Sequence, residues 1–162
     1  MATNYDKLSD RFIDFINAQK IFFVGTAPSG DDDVHIAPKG YETLKIVDHT
    51  NLVYLDYYGS GNDTAKDLAG NNKITLMWCS FDREPLLLRA FGQGVTVSKG
   101  MEDFNNLMKQ YFDSYPREIV RQLFKIKITR VMTSCGDGVP LMKFEGEREA
   151  LHVNSLKKFS GK

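Results

Sequence analysis

The sequence predicts a mainly β protein, an antiparallel barrel with a few short peripheral helices, and three observations carry that expectation. Short runs rich in Val, Ile, Leu, Tyr and Phe recur at 21–27, 34–37, 44–47, 52–58, 74–80, 86–98 and 123–133, separated by Gly, Asp, Asn and Pro. Helical periodicity is confined to brief segments between them. Runs that follow one another through tight turns pair as hairpins, which favours an antiparallel barrel over a doubly wound sheet. At 162 residues the chain is the size of one domain.

Taken in order, residues 5–18 open the chain as an amphipathic helix, with Leu8, Phe12, Ile13, Phe15 and Ile16 spaced for one face. Pro28-Ser29-Gly30-Asp31-Asp32-Asp33 reads as the solvated tip of the first hairpin rather than a cation site. A helix over 63–70 follows the fourth strand, with Asn62 or Asp63 able to cap it and Gly70 able to end it. Residues 101–111 make a second amphipathic helix, and 116–122 is expected as a third. In the last strand Phe124, Ile126, Ile128 and Arg130 alternate with Lys125, Lys127, Thr129 and Val131, the mark of one buried face.

Composition excludes several functions. Lys plus Arg number 21 and Asp plus Glu 21, so no global field grips nucleic acid or an anionic membrane. No apolar run approaches the ~20 residues that cross a bilayer. Charges arrive early and no secretory signal is recognisable, so a cytoplasmic location is expected, with Cys79 and Cys135 as reduced thiols. His35, His49 and His152 are scattered without ligand spacing, so no metal is expected.

The most informative stretch is Tyr57-Tyr58-Gly59-Ser60-Gly61-Asn62-Asp63-Thr64, which joins an aromatic strand to the start of a helix. Glycines let backbone approach a ligand, and hydroxyl and amide groups sit beside N–H donors at a helix N-terminus, so the stretch is either an anion site or a plain capped turn. It lacks the third glycine of a dinucleotide fingerprint and the Gly-Lys-Ser/Thr of a P-loop. Lys39, in Ala37-Pro38-Lys39-Gly40, either neutralises a phosphate held by that loop or is a solvent lysine in a turn. Arg89 interrupts an apolar run and either lines a polar cavity or lies on an exposed strand face. Ser134-Cys135-Gly136-Asp137-Gly138-Val139-Pro140 is a second irregular loop, suited to backbone contact more than to nucleophilic catalysis by Cys135. No acid–base or nucleophile motif stands out.

Together these segments resemble the pyridoxamine 5′-phosphate oxidase-related, FMN-binding split-barrel family. The resemblance rests on Phe22-Phe23-Val24-Gly25-Thr26-Ala27, Ile36-Ala37-Pro38-Lys39-Gly40, Val53-Tyr54-Leu55-Asp56 into Gly59-Ser60-Gly61-Asn62-Asp63-Thr64, residues 74–81, Leu88-Arg89-Ala90-Phe91-Gly92-Gln93-Gly94, and the Ser134–Pro140 loop. It implies a six-stranded antiparallel split β-barrel forming a homodimer, with FMN in each of two clefts between subunits. It further implies that Pro38, Lys39 and Gly40 lie along the cofactor, that Tyr58, Gly59, Ser60, Gly61, Asn62 and Thr64 frame its phosphate, and that Arg89 reaches it from the neighbouring strand. The sequence departs from the family after residue 150, where the arginine-rich substrate segment of true pyridoxamine phosphate oxidases is absent. The resemblance therefore implies an FMN-dependent oxidoreductase of unidentified small-molecule substrate; a flavin-binding or sensing module without turnover is the rival reading. A barrel binding single-stranded nucleic acid lacks its basic groove.

Overall fold

All seven expected runs form strands, and an eighth joins them. The computed structural model describes residues 2–30 and 33–160; the Asp31-Asp32 part of the hairpin tip lies outside the described residues. In chain order the elements are β1 (Thr3–Tyr5), α1 (Asp10–Ala18), β2 (Phe22–Thr26), β3 (His35–Lys39), β4 (Leu44–Ile46), β5 (Asn51–Tyr57), α2 (Asp63–Asn71), β6 (Lys73–Cys79), β7 (Leu87–Ser98), α3 (Glu102–Tyr111), β8 (Val120–Ser134) and α4 (Ala150–Ser160).

The strands build one antiparallel sheet in the order β3-β2-β6-β7-β8-β5-β4, with β1 added on β8. Its two end strands, β3 and β4, are consecutive in the chain and separated only by residues 40–43. So short a link spans at most roughly 18 Å, which forces the edges of the sheet together. The sheet curls into a barrel left open along the β3/β4 seam, the split barrel expected, with eight strands rather than six.

Trp78, Tyr54, Phe124, Leu76 and Phe22 fill the barrel interior. Outside it, Phe104 and Met108 of α3 pack with Phe112 on Val53, Leu55 and Leu123. The long β8 serves both cores because its pairing with β7 slips at Phe91/Gly92, where Phe91 faces Arg130 but Gly92 faces Ile128. That bulge reverses the face of later residues, so Val131 is buried and Arg130 exposed, opposite to the expected alternation. Gly92 is required at the bulge, since a Cβ there would lie 2.3 Å from the Lys127 carbonyl oxygen.

Four further expectations are corrected. Helix α1 begins at Asp10, not residue 5, because the Ser9 hydroxyl caps the Phe12 N–H and β1 precedes it. Residues 116–119 form a turn, and 120–122 already belong to β8. Helix α2 ends on Asn72, which takes the left-handed conformation (φ 52°) in place of Gly70. Finally, α4 is an element the sequence reading did not foresee. No helix among the described residues is long and apolar enough to cross a membrane.

Candidate functional site

A cleft of about 290 Å³ opens where β3, the end of β5 and the start of α2 meet. It is lined by Pro38, Lys39 and Gly40 from β3 and its exit, by Tyr54, Asp56 and Tyr57 from β5, and by Gly59, Ser60, Gly61, Asn62 and Thr64 ahead of and inside α2. Eight of the ten sequence-selected site residues thus converge. Helix α2 is fixed there by Asp67, whose carboxylate accepts from the Thr26 hydroxyl at 2.6 Å, and by Asn71, whose amide donates to the Ala27 carbonyl at 2.6 Å.

Charge organises the cleft. Lys39 Nζ lies 3.9 Å from Asp56 Oδ1 across the open seam, and Arg121 Nη1 lies 4.0 Å from Asp56 Oδ2. Asp56 also accepts from Gln122 Nε2 at 3.1 Å and the Tyr54 hydroxyl at 3.3 Å. Burial pushes the Asp56 carboxyl up, opposed by Lys39 and Arg121, and burial pushes the Lys39 ammonium down, opposed by Asp56. Both shifts are toward the neutral form, so desolvation outweighs the pair's attraction. Two cations flank the one carboxylate of this cluster, while the Asp63 carboxylate, which also lines the cleft, pairs with Lys66 at 3.3 Å.

Arg121 is the residue that sequence reasoning missed. Its Nη2 donates to the Gly59 carbonyl at 2.9 Å, and its Nη1 donates to the Gly61 carbonyl and, at 3.3 Å, to Asn62 Oδ1. It holds the loop from behind and points the N-terminus of α2 into the cleft. Asn62 stands at the N-cap but makes no capping hydrogen bond; its Oδ1 accepts instead from Gln122 at 2.7 Å. The only local hint was an Arg-Gln pair beside an apolar run, in a segment expected to be helical.

Two selected residues do not line this cleft. The ring of Tyr58 carries Arg121 and Lys99, each 5.2 Å from its centroid. Arg89 lines a separate concavity on the β2–β3–β6–β7 face with Phe23, Ile36, Met77 and Phe91, and donates to the Ser134 hydroxyl at 3.1 Å. In the second irregular loop, Cys135 is exposed and unpaired, and Gly136 approaches the Leu86 backbone so closely that a Cβ would lie 2.8 Å from its nitrogen. Among the described residues no group of His, Cys, Asp and Glu could hold a metal ion.

The family model of pyridoxamine 5'-phosphate oxidase matches residues 8–135, which include the barrel strands from β2 to β8 and the whole Lys39–Asp56–Arg121 cluster. The chain belongs to that family. A curated relative, the pyridoxamine 5'-phosphate oxidase family protein ustO of Aspergillus flavus, is 31% identical over 146 residues, covering 88% of this chain and 57% of its own length. The chain therefore spans little more than half of that relative. A putative pyridoxamine 5'-phosphate oxidase of Lactobacillus delbrueckii has the same fold at TM-score 0.62 and 12% identity, over 80% of this chain and 97% of its own. An FMN-binding protein of Syntrophomonas wolfei aligns at TM-score 0.52 and 16% identity over 79% and 83%. The heme storage protein HutZ of Vibrio cholerae aligns at TM-score 0.53 and 12% identity over 75% and 90%. The fold thus serves proteins with different named ligands, and the choice for this family member rests on its own cleft.

Proposed function

We propose that the protein binds FMN, with the phosphate in the Lys39–Arg121 cleft, and acts as an oxidoreductase on a small molecule or a reduced nicotinamide cofactor. The observation that carries this reading is the Lys39–Asp56–Arg121 cluster, in which two cations flank one carboxylate beside the Gly59–Thr64 loop at a helix N-terminus. That donor set fits a phosphate monoester: an ammonium, a guanidinium-braced loop of backbone N–H groups, and the Ser60 and Thr64 hydroxyls. The cleft also presents one imidazole, His35, a group able to ligate a heme iron, but the phosphate-type donors outnumber it.

A flavin, when bound, supplies the hydride-accepting centre at its N5. The protein's own part is to bind, orient and desolvate. Lys39 holds charge opposite the phosphate, Asp56 keeps Lys39 and Arg121 from repelling each other, and the Tyr54 and Tyr57 side chains wall the cleft. At about 290 Å³ the cleft is near the lower limit for a ligand of this size, so the ring requires a second wall. A second copy of the chain supplies it in a homodimer working in the cytoplasm. The apolar Ile36 and Val34, 68% and 65% exposed on and beside β3, favour such a contact.

The second reading, a flavin-binding module without turnover, is favoured by the state of Asp56: this cleft carboxylate is already engaged by four partners and is a poor proton carrier. Absorbance of the purified protein tests the proposal. Flavin bands support it, the single intense Soret band of heme overturns it, and bleaching by reduced nicotinamide separates enzyme from module.

A further inference from the structure

Resting on the flavin reading, we propose that α4 closes the phosphate end of the cleft, so that the site takes the mononucleotide FMN and refuses the dinucleotide FAD, with the His152 ring as the latch. FMN ends at its phosphate, whereas FAD continues from the same phosphate into a second phosphate and an adenosine. Whatever lies beyond the phosphate loop therefore decides between them.

What lies there is α4. Leu151 forms part of the cleft lining. Ser155, 1% exposed, donates its hydroxyl to the Tyr58 carbonyl at 2.7 Å and so pins the first residue of the phosphate loop. The imidazole of His152 stacks on Tyr41 with centroids 4.6 Å apart and meets Tyr57 edge-on at 4.8 Å, and both tyrosines line the cleft. Tyr41 is further bound through its hydroxyl to the Arg148 carbonyl.

Two details give these contacts their meaning. Tyr41 and Glu42 occupy left-handed backbone at φ 60° and 54°, a costly conformation for consecutive non-glycine residues, and Tyr41 there presents its ring to His152. His152 Nε2 is buried without a hydrogen-bond partner. The ring accordingly acts by stacking rather than through that nitrogen, and a phenyl ring should replace it. Val153 is 42% exposed, so α4 lies at the surface, with Leu151 packed against the second core.

The test is titration of FMN, FAD and riboflavin against wild type, His152→Ala, His152→Phe and Ser155→Ala, with circular dichroism verifying the fold. The wild type should prefer FMN over FAD. His152→Ala should narrow that ratio roughly tenfold, chiefly by gaining FAD, as expected from the loss of two aromatic contacts. Ser155→Ala should move it the same way, and His152→Phe should keep the wild-type ratio. Equal wild-type affinity for FMN and FAD, an unchanged ratio in His152→Ala, or a His152→Phe that behaves like His152→Ala each overturn the latch while leaving the flavin reading standing. A wild type that binds no flavin overturns both.

Discussion

Arg121 and Arg89 stand on the paired strands β8 and β7, yet the protein uses them differently. Arg121 is enclosed by two backbone carbonyls, the Asn62 amide oxygen, the Asp56 carboxylate and the Tyr58 ring. Among the described residues Arg89 makes a single side-chain hydrogen bond, to Ser134, on an open face beside the exposed Ile36. A guanidinium gains its organising power from fixed acceptors that match its fork, and only the region where β5, β8 and α2 converge supplies them. The cleft residues described converge within one chain, whereas the Arg89 face lies open beside the exposed Ile36.

Replacing Arg121 by Ala should break this contrast most severely. It removes the brace from Gly59 and Gly61 and leaves Asp56 with one cation fewer, a loss on the order of 3 kcal/mol, or about a hundredfold in FMN affinity. Fluorescence titration that shows less than a threefold change would sink the role given to Arg121. Lys39→Met should follow, with FMN weakened roughly ten- to hundredfold and riboflavin little affected, since one charge-assisted contact is worth ~1.5–3 kcal/mol. Equal loss for both ligands would mean that Lys39 supports the ring or the fold.

The pH dependence sharpens the same point. Burial lowers the Lys39 pKa, so its charge, and the phosphate affinity it confers, is lost as pH rises through that lowered value, earlier than for an ordinary lysine. An alkaline limb in the FMN binding constant should therefore appear in the wild type and vanish in Lys39→Met. Folding carries the opposite sign. Because the charged lysine is disfavoured in the folded state, its contribution to stability improves as pH rises through the lowered value.

Arg89→Ala should alter the preference for FMN over riboflavin by less than about threefold, because in one chain it is remote from the phosphate loop. If the preference collapses as in Lys39→Met, the Arg89 of a second copy reaches the phosphate, and light scattering should then give about twice the 18.4 kDa chain mass. Gly61→Ala should be the mildest. The sequence suggested that glycine is needed there for close approach, but Gly61 does not adopt positive φ and an added Cβ meets only the movable Asp63 carboxylate at 2.6 Å. A change below about 0.5 kcal/mol is expected by thermal melting, typical of an exposed site.

Much of the cleft was legible because its lining is contributed by short contiguous stretches. Pro38-Lys39-Gly40 and Gly59 to Thr64 each announce an irregular, polar backbone within a few residues. Asp56 looked like an ordinary residue of a strand, and Arg121 like a residue of a helix, since nothing local says that 65 positions later the chain returns beside the loop. Asn62 was correctly placed at the helix start, but its amide was taken for a cap when Gln122 and Arg121 had claimed it.

The sequence by itself determined the strand runs, the glycine-bearing turn into α2 and the absence of a charge excess, because β periodicity, turn chemistry and composition depend on neighbouring residues. Tertiary structure alone decided that Lys39 faces Asp56 across the seam, that the bulge at Gly92 turns Arg130 outward, that Arg89 leaves the cleft and that Leu151 of α4 joins its lining. Each of these follows from strand register and sheet curvature. A one-residue slip reverses a face, and the closure of an eight-stranded sheet places residues far apart in sequence within hydrogen-bonding distance.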